Sequence, residues 1–225
     1  MVTLCWAAKG GSGTTVVATV LAMVERSATL LVDLDGEIPR VLGLSSPDRP
    51  GLADWLGSNA PEAHLDDLLI DVDDHLRVLP WNAARTPTSL DPTSEPLVSF
   101  SAADPERRRR CLSWLDSRTR ERVIVDAGTG EPSADLAGIA ETSLLVTRPC
   151  YLALQRALGL GTRPTAIALI DEKGRGLSGR EIERSVGAPI VAKLSFDPAV
   201  ARAVDAGLLA HKIPNSICKE LRSVA

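Results

Sequence analysis

Short apolar runs recur along the chain, and most are followed by a segment long enough to form a helix. The runs occupy residues 3–7, 29–33, 76–79, 122–126, 143–147, 165–170 and 189–194. Several are continuously apolar instead of alternating, which is typical of strands covered by helices on both faces. The pattern predicts an α/β fold with a doubly wound, mostly parallel sheet and helices on both of its faces.

The intervening segments predict helices at residues 15–26, 104–116, 132–140, 151–158, 179–186, 198–206 and 215–222. Ser178, Asp197 and Asn215 stand where N-cap residues belong, and Glu181 completes a predicted capping box with Ser178. The proline-rich stretch at 81–96 shows no clear periodicity and is interpreted as an exposed loop. Because no repeat and no domain boundary is evident, we expect a single domain over residues 1–225.

Composition narrows the class of protein. The chain has 225 residues, 44% of them hydrophobic, and a net charge of −4, which suits one α/β core and argues against nucleic acid as the main partner. The four cysteines are widely spaced and include no CxxC pair. We therefore expect neither a zinc site nor a disulfide framework, but reduced thiols in a cytoplasmic protein.

The N-terminal apolar run lacks the basic leader of a secretion signal. No apolar stretch reaches the roughly 20 residues needed to cross a bilayer. We therefore expect a cytoplasmic protein whose membrane contact is peripheral at most.

A glycine-rich segment at residues 7–15, Ala-Ala-Lys-Gly-Gly-Ser-Gly-Thr-Thr, directly follows the first strand and opens the first helix. Its glycines allow the backbone to curl so that successive N–H groups face an anion, and the helix N-terminus adds its positive dipole end. Thr15 occupies the position from which a hydroxyl commonly binds Mg²⁺ beside phosphates. The segment predicts a polyphosphate site, with a plain strand-to-helix turn as the alternative.

Carboxylates stand at the ends of two other predicted strands. Asp33 ends the 29–33 run and Asp35 follows it two residues later, a spacing at which strand alternation would place both on one face. Asp126 ends the 122–126 run. Each could simply cap a turn. Since open α/β sheets bind ligands at the carboxyl ends of their strands, however, we expect the acids to converge on the glycine-rich segment.

The glycine-rich segment resembles the deviant P-loop of MinD and ParA ATPases, in which one lysine precedes the two glycines and a second precedes the Mg²⁺-binding Ser/Thr. Lys9 matches the first lysine, whereas Thr14 replaces the second and Ala8 replaces the opening glycine. The resemblance implies ATP and Mg²⁺ as cofactors and a homodimer in which Lys9 reaches the partner's nucleotide. The nucleotide would be held by Gly10, Gly11, Ser12, Gly13, Thr14 and Thr15. Without the second lysine we expect hydrolysis to be slow or absent.

By the same resemblance, Asp35 is the switch carboxylate that orients the attacking water or holds the Mg²⁺ shell, and Asp33 is the more structural of the pair. Asp126 matches the Walker B aspartate, which contacts Mg²⁺ through water. Lys9, Asp35 and Asp126 are thus the candidate catalytic residues. The candidate metal ligands are Thr15, Asp35 and Asp126.

Two later loops resemble those that surround the base in this family. Arg148 and Pro149 belong to a T-x-P segment after the 143–147 run, and Phe196, Asp197 and Pro198 resemble the loop that closes over adenine. Both are also compatible with ordinary strand-to-helix turns.

Residues 51–56 and 75–80 are most similar to the CpaE/TadZ-like branch of pilus-assembly localisation proteins. This implies a positioning protein whose partner is a secretion, pilus or cell-division assembly. Two alternatives stay open: an active ATPase in partition or septum-site placement, and a scaffold that binds no nucleotide.

Two further segments have features that also occur in membrane-binding or nucleic-acid-binding proteins. The four arginines at 107–110 fan out around a predicted helix, which favours a solvated face. The segment 213–225 carries Ile217, Leu221 and Val224 at helical spacing and is similar to the membrane-targeting helix of MinD, but it is short. Packing against the core is favoured.

Overall fold

The computed structural model describes residues 1–44, 49–82, 99–172, 174–211 and 213–222. Its strands are β1 (Val2–Ala7), β2 (Thr29–Asp33), β3 (Ile70–Asp71), β4 (Leu76–Leu79), β5 (Arg122–Thr129), β6 (Thr142–Thr147), β7 (Ala166–Asp171) and β8 (Ile190–Ser195). Its helices are α1 (Thr14–Val24), α2 (Ile38–Leu42), α3 (Leu52–Leu56), α4 (His64–Asp67), α5 (Pro105–Asp116), α6 (Ala134–Ile139), α7 (Tyr151–Gly159), α8 (Gly179–Val186), α9 (Pro198–Asp205) and α10 (Asn215–Leu221).

The strands form one sheet in the order β3-β4-β2-β5-β1-β6-β7-β8. Every neighbouring pair is parallel except β3 and β4, which are antiparallel. The predicted doubly wound, mostly parallel sheet is therefore confirmed. Because β1 lies between β5 and β6, and β5 lies between β1 and β2, the carboxyl ends of these strands share one edge.

The predicted strands are present, with ends that shift by a residue or so except in β5. This strand continues past Asp126 to Thr129 because its extra residues still pair with the end of β1. The sequence pattern missed β3 and the helices α2, α3 and α4, which are too short to show a period. Most of the predicted loop at 81–96 lies outside the described residues.

Two of the three predicted helix caps are confirmed. Ser178 accepts a hydrogen bond from the Glu181 backbone N–H, and the Glu181 carboxylate accepts one from the Ser178 N–H. Asp197 accepts from the Ala199 N–H at 2.8 Å. The prediction for Asn215 is wrong, because Pro214 takes the extended cap conformation and Asn215 is the first helical residue.

A hydrophobic layer lies on each face of the sheet. Alternate side chains of β1 show the division: Leu4 and Trp6 belong to the layer that includes α3 and α5, whereas Cys5 belongs to the layer that includes α1 and α10. The helix α10 packs on α1 and β8, where Ile217 and Leu221 are buried. The expectation of core packing for this segment is thus confirmed at these two positions, and Val224 lies outside the described residues.

The arginines at 107–110 do fan out around α5, but the expected solvated face is wrong for Arg107. This side chain is buried, with its guanidinium 3.5 Å from the ring centroid of Trp55. It donates hydrogen bonds to the carbonyl oxygens of Trp55 and Ala60 at 2.6 and 2.8 Å. A planar guanidinium suits such a position because it stacks and donates at once.

Within the part of the chain that the structure describes, no helix is long and apolar enough to cross a bilayer.

Removing the Arg107 guanidinium should destabilise the fold. We expect Arg107→Ala to lower the free energy of unfolding by about 2–4 kcal/mol, since it deletes the Trp55 stack and the hydrogen bonds to the carbonyl oxygens of Trp55 and Ala60. Arg109→Ala is the matched control, because Arg109 on the same helix is exposed and paired only with Glu106; it should cost less than about 1 kcal/mol. Urea denaturation measures both. Equal losses would show that Arg107 does no more than a surface arginine.

Candidate functional site

The glycine-rich loop connects the end of β1 to the start of α1. Gly11 and Gly13 have φ angles of 74° and 94°, a left-handed conformation that glycine adopts without steric cost. The hydroxyl of Ser12 donates to the Lys9 carbonyl at 2.6 Å, and the Gly130 N–H donates to the Ala7 carbonyl at 2.8 Å. These bonds hold the loop against the end of β5.

The loop is shaped to receive an anion. A methyl group on Gly11 or Gly13 would meet no described atom within 4 Å, so the space in front of the backbone is open. No side chain caps the N-terminus of α1. The first backbone N–H groups of a helix have no partner within the helix. An anion at this position would therefore satisfy donors that this chain's side chains do not.

Asp33 stabilises the turn that follows β2. One of its carboxylate oxygens accepts from the N–H groups of Asp35 and Gly36 at 3.1 and 2.7 Å, and the other accepts from Ile38 at 3.3 Å. Because β2 ends at Asp33, strand alternation does not extend to Asp35. The prediction that alternation places both acids on one face is therefore wrong. It is this turn that positions Asp35.

Asp126 is completely buried where β5 passes the end of β1. Its Oδ1 accepts from the Gly128 N–H at 3.0 Å, whereas its Oδ2 has no hydrogen bond of regular geometry from any described residue. Burial raises the pKa of this carboxyl to about 7; the nearby Thr15 hydroxyl opposes the shift and the charge of Asp33 adds to it. A buried carboxylate with a free oxygen indicates a position made for a cation or a hydrogen-bond donor.

Asp35 lies directly against Gly128. A methyl group at Gly128 would overlap the Asp35 carboxyl carbon, and the φ angle of Gly128 is 65°, so this position requires glycine twice over. Partial burial raises the pKa of Asp35, and the charge of Glu37 raises it further. Sequence reasoning assigned Gly128 no role, although glycine two residues after a strand-ending aspartate was the available signal.

The three acids at this edge form no ion pair with a described residue. The described residues also contain no cluster of three His, Cys, Asp or Glu side chains that could hold a metal by themselves. Mg²⁺ typically takes one or two protein ligands and completes its shell with phosphate and water oxygens. The donors Thr15, Asp35 and Asp126 beside an anion-binding loop fit that mode of binding.

Lys9 is half-buried at the mouth of the loop and makes no ion pair within the described chain. The backbone N–H groups of Ala153 and Leu152 lower the pKa of Cys150, and the ammonium of Lys9 lowers it further. The residue that replaces the second lysine, Thr14, is buried.

A cavity of about 420 Å³ opens beside the loop. It brings together six of the predicted nucleotide-binding residues, Gly11, Ser12, Gly13, Arg148, Phe196 and Asp197. The Arg148 guanidinium stands 5.4 Å from the centroid of the Phe196 ring. The other five predicted residues, Gly10, Thr14, Thr15, Pro149 and Pro198, do not line the cavity. The Asp197 carboxylate accepts hydrogen bonds from the Ala199 N–H and the Ser216 hydroxyl.

Sequence reasoning missed the apolar lining of this cavity. It comes from five separate elements and comprises Val16, Val17, Ile170, Leu194, Val200, Ala201, Val204 and Ile217. Each residue looks like an ordinary core position in its own helix or strand, so only their assembly reveals the cavity. Apolar walls with a few polar groups are typical of small-molecule sites.

No protein-family model matches the chain, and no curated protein matches it significantly in sequence. Solved structures do resemble it. A ParA family ATPase from Chlorobium tepidum TLS has a TM-score of 0.76 and 19% identity, with 100% of this chain and 97% of that chain covered. The Aquifex aeolicus MinD cell division protein in complex with MinC has a TM-score of 0.71 and 20% identity, with 99% of this chain and 94% of that chain covered.

A third similar structure is the septum site-determining protein MinD from Pyrococcus horikoshii OT3 complexed with Mg-ADP. Its TM-score is 0.69 at 18% identity, with 100% of this chain and 96% of that chain covered. Together with the strand order and the loop after β1, these similarities show that the chain has the fold of the MinD/ParA P-loop NTPases.

The buried Asp126 should make stability depend on pH. Its pKa rises from 3.8 to about 7 in the fold, so between these values the folded protein holds a proton that the unfolded chain has released. The free energy of unfolding therefore falls as the pH rises from about 4 to about 7. We expect Asp126→Asn to weaken this fall and to be more stable than the wild type above about pH 7, by on the order of 2 kcal/mol.

Thermal unfolding of nucleotide-free protein across this pH range provides the measurement. The neighbouring Asp33, whose pKa burial raises to about 6, should leave a smaller pH dependence in the variant. A variant less stable than the wild type at every pH would show that the Asp126 carboxylate is already satisfied within the chain.

Proposed function

We propose that this chain is a single MinD/ParA-like P-loop domain over residues 1–225 that binds ATP with Mg²⁺ and acts as a positioning or assembly protein. The observation that carries the proposal is the pairing of two groups that no described side chain satisfies with a hydrogen bond of regular geometry: the backbone N–H donors at the start of α1 and the buried Oδ2 of Asp126. An anion alone would satisfy the first group and a cation alone the second. A magnesium-bound polyphosphate satisfies both.

In this proposal the chain's own residues divide the work between phosphate and metal. The N–H groups of the loop from Gly10 to Thr15 hold the phosphates, while Thr15, Asp35 and Asp126 hold Mg²⁺ directly or through water. The bound metal supplies positive charge beside acids whose pKa values are raised by burial. Asp35 is the candidate to orient a water, because the turn after β2 and the contact with Gly128 restrict its position.

Hydrolysis is proposed to be weak or absent. Charge that develops on a transferring phosphoryl group needs a cation placed in advance, and Thr14 supplies a neutral hydroxyl at that point of the loop. Lys9 has no partner of opposite charge in the described chain, which suits a residue that crosses to the nucleotide of a second subunit. ATP would then stabilise a homodimer, and the dimer is the functional output.

The proposed partner is a protein assembly of the secretion, pilus or cell-division type. The similarity of residues 51–56 and 75–80 to the CpaE/TadZ-like branch supports the pilus version. Among the similar structures, a MinD is complexed with MinC and another with Mg-ADP, which supports a partner-binding, nucleotide-binding role. The protein is proposed to be cytoplasmic and recruited to the membrane or cell pole by that partner.

The proposed dimer depends on Lys9. We expect ATP with Mg²⁺ to convert the wild type from monomer to dimer, and Lys9→Ala to stay monomeric while still binding ATP, because it removes the charge offered to the partner's phosphates and leaves the loop amides in place. Size-exclusion chromatography with light scattering, together with equilibrium binding of ATP, measures the two properties. Lys193→Ala is the control, since Lys193 is exposed and pairs with Asp171.

These measurements separate the three functions. A wild type that binds no ATP with or without Mg²⁺ would leave only the scaffold. ATP binding without a change in mass would refute the dimer. Rapid phosphate release by the wild type would favour the active ATPase over the switch.

Restoring the missing lysine should restore catalysis. We expect Thr14→Lys to raise the rate of ATP hydrolysis by about tenfold or more, because an ammonium in the loop stabilises charge on the transferring phosphoryl group. Phosphate release at saturating ATP and Mg²⁺ measures the rate. Thr14→Met, a neutral side chain of similar length, is the control, and equal rates for both variants would mean that the native loop is not impaired by its lack of charge.

A further inference from the structure

Arg148 stands at the same sheet edge as the glycine-rich loop. It follows the last residue of β6, which pairs with β1, and the loop follows the last residue of β1. The Arg148 side chain lines the cavity that Gly11, Ser12 and Gly13 also line. A guanidinium is thus available within the subunit, on the opposite side of the loop from the acids at the ends of β2 and β5.

This guanidinium lacks an acceptor in the described chain. Its Nε is buried without a hydrogen-bond partner, and the side chain forms no ion pair with a described residue. Its recorded neighbour is the Phe196 ring, at 5.4 Å from the centroid. Only the Nε atom is buried, and the residue as a whole is half-buried. A buried donor atom without an acceptor is costly, so the guanidinium is expected to meet one when a ligand binds.

Neither of the two acids that line the cavity forms an ion pair with Arg148. Asp197 lines the cavity, but its two carboxylate oxygens accept from the Ala199 N–H and the Ser216 hydroxyl. Asp205, the other acid in the lining, is exposed and forms no ion pair with Arg148. Among the described residues that line the cavity, Arg148 is the only cation. None of the described residues that line the cavity therefore supplies the acceptor.

We propose that Arg148 is the in-subunit cation for a bound nucleoside di- or triphosphate, and that it compensates for the ammonium that the loop lacks at Thr14. This rests on the proposed function and assigns a specific role within that site. A guanidinium is suited to the role because its planar fork donates two hydrogen bonds to phosphate oxygens at once. Arg148 is a binding residue here, and the proposal gives it no proton-transfer step.

The test compares affinities for adenosine, ADP and ATP in the presence of Mg²⁺. Arg148→Gln should lower the affinity for ADP and for ATP on the order of tenfold or more, because it removes a charged donor to phosphate. The affinity for adenosine should change little. Arg148→Lys should retain most of the affinity. Arg156→Gln, which removes an exposed arginine from α7, is the control and should match the wild type. Equal weakening of all three ligands would show that Arg148 contacts the base instead, and would overturn the proposal.

A double-mutant cycle tests whether Arg148 and the absent lysine are interchangeable. Thr14→Lys should restore ADP and ATP affinity in the Arg148→Gln background and should add less in the wild type. Equal gains in both backgrounds would overturn the proposal. Thermal unfolding of the nucleotide-free variants checks that they fold, and Arg148→Met, which also removes the charged donor, replaces Arg148→Gln if that variant does not fold.

The binding measurements distinguish a failure of the Arg148 role from a failure of the proposed function. A wild type that binds none of the three ligands contradicts the proposed function itself. A wild type that binds ATP, with Arg148→Gln binding it equally well, leaves that function in place and removes only the role of Arg148.

Discussion

The parallel pairing of β1 with β5 is the constraint on which the site depends. It places the end of β1, and hence the glycine-rich loop, beside the buried Asp126 carboxylate, while the pairing of β2 with β5 brings Asp33 opposite Asp126. The turn held by Asp33 then sets Asp35 against Gly128. One set of backbone ladders therefore gathers amide donors and carboxylates that lie far apart along the chain. The same pairing buries the Asp126 carboxyl, and its Oδ2 has no regular hydrogen bond from a described residue. A cation bound beside this oxygen would offset the free energy lost by burying it.

Charge is divided across the loop. The acids lie toward β2 and β5, whereas Arg148 and the cavity lie toward β6, β7 and β8. Lys9 lies in the loop itself and makes no ion pair in the described chain. A loop that has lost one lysine is thus still flanked by two cations. Binding a phosphate and accelerating its transfer are separable, because only a charge placed where negative charge develops in the transition state lowers the barrier.

Sequence patterns succeeded where the governing interactions are local or repeat with a regular period. The apolar runs located the main strands, and the Ser178 and Asp197 caps followed from side chains that bond to nearby N–H groups. Prediction failed where a distant partner decides the outcome. Arg107 looked like part of a solvated face, yet Trp55 and Ala60, about fifty residues earlier, give it a stack and two acceptors. The helices α2, α3 and α4 are too short to carry a period at all.

The amino-acid order alone was enough for the fold class, the glycine-rich loop and the acids at the strand ends, because hydrophobic period, glycine content and strand-terminal position are written in neighbouring residues. Folding in three dimensions was needed for the unsatisfied Asp126 oxygen, the contact of Asp35 with Gly128, the apolar cavity and the unpaired Arg148 guanidinium. These properties depend on burial and on the absence of a partner. Both are set by which segments meet in space, and no local pattern encodes that meeting.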